Sequence, residues 1–115
     1  MCQENQVQLQ DNVYVLRRPY STGMETHVFR LKENDTVVEV MPKFSRRSNE
    51  WHLKDGRYVV VDISRSNNKA KPYEVIVWCY EVQNGMAERR EIATFYENSI
   101  EYALMFVRAK LVYQC

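Results

Sequence analysis

Glycine and proline are scarce in this chain, with three residues of each in 115. So little glycine leaves little backbone able to wrap closely round a phosphate. The glycine-bearing signatures GxGxxG, P-loop and GxSxG are all missing. Histidine is limited to His27 and His52, and neither has a cysteine or second histidine at metal-ligand spacing. We therefore expect no metal and no small-molecule cofactor. No apolar run approaches ~18 residues, so we expect no transmembrane helix.

Cysteine is also sparse. Cys2 and Cys115 lie at the ends, and Cys79 sits inside an apolar run. Three such positions do not make a disulfide framework. The odd count, with no signal-peptide pattern, points to a reducing, cytoplasmic setting. Cys79 is expected to be a small buried core residue, not a reactive thiol. Cys115 is no prenylation site, because three residues must follow such a cysteine.

What is present is ordinary in bulk: 45% hydrophobic and 27% charged residues, fitting a single domain over residues 1–115 with a core of sufficient size. The net charge of +1 is unevenly spread. Residues 1–42 carry four basic and six acidic groups, residues 43–71 eight against three, and residues 72–115 four against six. The centre is a basic region between acidic flanks.

Period-two alternation dominates the chain. Val13–Leu16 is a short β run, ended by Arg17-Arg18-Pro19. His27, Phe29 and Leu31 alternate with Val28, Arg30 and Lys32, and Val37–Met41 returns after a tight turn. Pro42–Gly56 is a long irregular stretch, with a helical turn or a short strand around Glu50–Leu53. In Arg57–Ser64, Val59, Val61 and Ile63 share a face, opposite Tyr58, Val60 and Asp62. The connection Ser64–Pro72 is polar and basic and is expected to be mobile. Tyr73–Val82 is apolar on both faces, which marks a strand covered on both sides. Asn84-Gly85 predicts a type I′ hairpin turn into a strand over Ala87–Phe95.

One helix closes the chain, over Asn98–Tyr113. Asn98 is the expected N-cap, with Glu101 completing a capping box. At about 100° per residue, Ile100, Leu104, Val107 and Leu111 form one apolar stripe. The opposite side is not polar: it carries Tyr102, Phe106, Ala109 and Tyr113. Such a helix is buried on both sides or meets a partner on the second.

The expected fold is α+β and mainly β: a six- or seven-stranded antiparallel sheet or bent barrel in meander order, covered by one C-terminal helix. In strand count, length and closing helix it resembles the pleckstrin-homology-like architecture. More loosely it resembles the sheet-then-helix single-strand-binding modules of the PUR and Whirly type. These resemblances are topological and carry no sequence motif.

We expect a non-enzymatic protein-binding module. The only local group with acid–base potential is Glu50-Trp51-His52, with Asp62 its one further candidate partner. The contact would use Tyr102, Phe106, Ala109 and Tyr113, large amphipathic side chains flanking one small one. Its occupant would be a protein partner or a second copy of the chain. The alternative is nucleic-acid binding by the basic centre. There Arg46, Arg47, Lys54, Arg57, Lys69 and Lys71 would neutralise phosphates, and Trp51, Tyr58 or Tyr73 would stack on bases. An acidic protein or an anionic lipid head group would suit the same charges, and the barrel resemblance implies the latter.

Overall fold

A computed structural model describes residues 14–17, 25–34, 36–41 and 50–115. Among them are seven strands: β1 (Tyr14–Arg17), β2 (Glu25–Leu31), β3 (Val37–Met41), β4 (Glu50–Leu53), β5 (Gly56–Arg65), β6 (Tyr73–Gln83) and β7 (Met86–Glu97). A helical segment follows: α1 (Ile100–Phe106), a π turn (Val107–Leu111) and a 3-10 turn (Val112–Gln114). The protein is mainly β, with one antiparallel five-stranded sheet and a C-terminal helix.

The sheet runs β3-β2-β5-β6-β7, and β1 pairs separately with β4. Sequence neighbours pair at β2–β3, β5–β6 and β6–β7, as meander order predicts. The pairings β2–β5 and β1–β4 depart from it. The cause lies in β4. Trp51 and Leu53 alternate with polar residues and are 2% and 1% exposed. They cover the face of the sheet formed by Val28, Tyr58, Val60, Tyr80 and Val82. A strand paired within the sheet cannot cover a face of it, so β4 leaves the plane and takes β1 as its neighbour.

The other face is the larger core. Phe29, Val59, Val61, Ile63, Val75 and Val77 meet Ala103, Val107, Leu111 and Val112 from the helical segment. Strands β2, β5, β6 and β7 therefore contribute residues to both cores, which explains why β6 reads as apolar on both sides. The face assignment expected for β5 holds: Val59, Val61 and Ile63 lie in this core, and Tyr58 and Val60 in the other.

Two turns meet at one end. Asn84 and Gly85 both have positive φ, 55° and 78°, as a type I′ turn requires. The Asn84 amide donates to Asp55 Oδ1 at 2.9 Å, tying this hairpin to the β4–β5 turn. Gly56, at φ 148°, admits the Arg30 guanidinium, which would stand 3.2 Å from an added Cβ. At the far end, the basic connection carries local hydrogen bonds to its own side chains. Asn68 Oδ1 accepts from the amides of Ala70 and Lys71, and Ser66 Oγ accepts from the Asn68 amide.

Cys79 and Cys115 form a disulfide, with their Cα atoms 5.7 Å apart. This corrects the expectation that the cysteines do not pair. Cys79 is buried as expected, at 8% exposure, but it is also the anchor for the last turn. The spacing of 36 residues hides the pairing, because only the helix crossing the sheet brings the two together. The bridge also removes one ground for a reducing setting.

Candidate functional site

The helical segment begins where β7 stops. Ser99 is the N-cap, with φ −146° and ψ 146°, and its Oγ accepts from the Tyr102 amide at 3.0 Å. Asn98 was the expected cap. It lies one residue after the end of β7, where its amide donates to Glu97 Oε1 at 3.2 Å. With Ser99 as cap, Glu101 stands at the second helical position and not the third, so no capping box closes. It remains in the first turn, where the helix dipole favours a carboxylate.

The buried stripe is Ala103, Val107, Leu111 and Val112, with Ile100 and Leu104 half-buried beside it. The π turn explains the difference from simple helical spacing. Its wider winding brings Leu111 under Val107 and lets the adjacent Val112 also reach the core.

The opposite ridge is exposed. Tyr102 is 58%, Met105 63%, Phe106 40% and Tyr113 63% exposed, and Ala109 lies open between them. The structure thus brings together all four residues predicted for a protein contact. Met105 was missed, although its spacing of three from Tyr102 places it there. Phe106 leans toward the sheet edge, where its ring meets Phe95 of β7 edge-on, with centroids 5.2 Å apart at 67°. Lys110 Nζ lies 5.8 Å from the Phe106 ring centre, so this cation joins the exposed ridge. Arg108 sits on the inner seam, its Cζ 5.8 Å from the Phe29 ring centre.

Two arginines fasten the chain's last carbonyls. Arg90 donates to Gln114 O at 3.0 Å, and Arg57 reaches Cys115 O at 3.5 Å. Together with the disulfide they hold the helix end against β5, β6 and β7. The cations also complement the negative end of the helix.

The residues of the nucleic-acid reading are not brought together. Lys54 and Arg57 lie at one end of the β5–β6 hairpin and Lys69 and Lys71 at the other, on exposed backbone. The ten residues of β5 lie between Lys54 and Lys69, about 30 Å of strand. Trp51 and Tyr58 are each 2% exposed and have no open ring face. Arg46 and Arg47 lie outside the described residues.

The acid–base candidates show no catalytic arrangement among the described residues. Trp51 points into the second core, while His52, next to it on β4, is exposed. Asp62 accepts from Thr26 Oγ1 at 3.1 Å and from Trp78 Nε1 at 3.2 Å, within the sheet. His27 is 5% exposed, with Nδ1 3.0 Å from Glu39 Oε2 and Nε2 4.0 Å from Glu25 Oε1. Among the described residues Nε2 has no hydrogen-bond partner. Among the described residues, no cluster of three or more His, Cys, Asp or Glu is placed to hold a metal, and no helix is long and apolar enough to cross a membrane.

No known family, characterised protein or solved structure matches the chain.

Proposed function

We propose that the protein is a non-enzymatic binding module whose contact surface is the outer ridge of the C-terminal helix. The observation that carries this reading is the exposure of Tyr102, Met105, Phe106 and Tyr113 along one side of a helix already fully docked on the other. Contiguous apolar patches of this kind mark interaction sites on soluble proteins. Aromatic residues and methionine are the types enriched at such interfaces. The sheet supplies rigidity: the segment is fixed by two arginines and a disulfide, so little order has to be created on binding.

The separation of the basic residues to opposite ends of one hairpin favours this reading over a phosphate-tracking groove.

A photo-crosslinking side chain tests the proposal without assuming a partner. Placed at 105 or 113, it should give an adduct of discrete mass. Placed at 69, on the remote connection, it should give none. Introducing Tyr102→Glu should remove the adduct. Equal yields at all three positions, or none at 105 and 113, would overturn the reading.

A further inference from the structure

The Cys79–Cys115 bridge joins two unlike places. Cys79 lies in β6, in register with Val59 of β5 on one side and Arg90 of β7 on the other, so its backbone is fixed. Cys115 follows the closing 3-10 turn. Val112 is the last fully buried residue before it; Tyr113 and Gln114 are exposed and Cys115 is half-buried. Two arginine bonds back the bridge at this end, and the one from Arg57 to Cys115 O, at 3.5 Å, is at the limit of hydrogen-bond reach. Exposed bonds of this kind add little by themselves. The bridge is therefore the main tie on residues 113–115.

The bridge is also within reach of solvent. An open pocket of about 270 Å3 touches both cysteines and is lined further by Arg57, Glu81, Glu88 and Arg90. A low-molecular-weight thiol fits this space, and side chains of both signs set no single-sign barrier to it.

We infer that the bridge is a thiol-exchange site, which low-molecular-weight thiols open and the corresponding disulfides close again. The attacking thiolate bonds to Sγ of Cys115, the more open of the two residues, and the Sγ–Sγ bond breaks. The electron pair leaves on Cys79 Sγ, which takes a proton from water. A second thiolate attacks the external sulfur of the mixed disulfide, and Cys115 Sγ leaves and is protonated in turn. Two thiols are oxidised to one disulfide, and the bridge is reduced by two electrons to two thiols. Opening frees residues 113–115 and leaves α1 docked, because Ala103, Val107 and Val112 remain in the core. The outer ridge then keeps Tyr102, Met105 and Phe106 in place and loses Tyr113 as a fixed residue. That last consequence alone rests on the reading of the ridge as a contact; the exchange site does not.

Glutathione, in reduced and oxidised form, is the probe. Every protein carries Cys2→Ser, so that this thiol cannot exchange. In native buffer, peptide mass spectrometry should find the mixed disulfide on Cys115. After reduction, amide hydrogen exchange at residues 113–115 should rise about tenfold or more, as for a segment passing from held to frayed, while residues 59–63 and 75–77 keep their protection. Oxidised glutathione should restore the slow rates. Cys115→Ser should show the fast rates from the start and no response to either form. A bridge that glutathione opens only in denaturant overturns the site and leaves a structural crosslink. A mixed disulfide on Cys79 in place of Cys115 overturns the route of attack. Reduction that leaves exchange at 113–115 unchanged, or that abolishes the circular dichroism of the sheet, overturns the local opening. None of these results alters the adduct expected from position 105, so the ridge reading is judged separately.

Discussion

Phe95 on β7 and Phe106 on α1 meet edge to face at 5.2 Å, and this contact joins the exposed helix ridge to the sheet edge. Phe106 therefore has two roles: 40% of it remains open to solvent, while its edge supports the docking of the helix.

That double role predicts a graded response to charge. Phe106→Glu removes the aromatic pair and should lower stability by about 1 kcal/mol. Tyr102→Glu, at a more open position, should change stability by no more than about 0.5 kcal/mol. Both should weaken association. Denaturant melts of the two variants check this, and equal large losses would place the whole ridge in the core.

The helix start gives a second prediction. Ser99→Ala should cost about 1 kcal/mol, because the Tyr102 amide loses its acceptor. Asn98→Ala should cost much less, since its side chain does not cap the helix. The opposite order in thermal melts would restore Asn98 as the cap.

The disulfide gives a third. Cys79 and Cys115 are 36 residues apart, and a bridge of that span stabilises by about 2–4 kcal/mol on the loop-entropy account. Reduction, or Cys115→Ser, should lower the unfolding midpoint accordingly. A midpoint indifferent to reductant would mean that the bridge does not form in solution.

Tyr58 gives the fourth, in pH. Its phenol donates to Lys54 O at 2.7 Å. Burial pushes its pKa above the ordinary 10.0, Asp55 adds to this, and Arg30 opposes it. The folded state thus favours the neutral phenol more than the unfolded state does. This contribution is fully present below pH 10.0 and is lost as pH rises through the raised value. Stability should fall above pH 10.0, and Tyr58→Phe should flatten that part of the fall. Identical alkaline slopes for both proteins would contradict it.

The strands of the large sheet were legible because alternation depends only on which residues face a core. Val59, Val61 and Ile63 declare a face whatever covers it. The second helix ridge was legible for the same reason, since the buried stripe already sufficed for docking. The pairing of β1 with β4 was not legible, because it depends on Trp51 and Leu53 needing a sheet face to cover. The π turn was hidden too: helical spacing alone does not say that both Leu111 and Val112 must be buried. Nor does local sequence show that β7 runs to Glu97, which moves the cap from Asn98 to Ser99.

Methionine oxidation tests the central claim most directly. Met105 on the ridge is 63% exposed, and Met86, at the remote β6–β7 turn, is 76% exposed, so both should react in the isolated chain. Oxidation of each by added peroxide is measured by mass spectrometry on the chain alone and on the chain in the complex captured through position 113. If the ridge is the contact surface, Met105 is protected in the complex while Met86 keeps its rate. Parallel oxidation of the two in the complex would contradict the account.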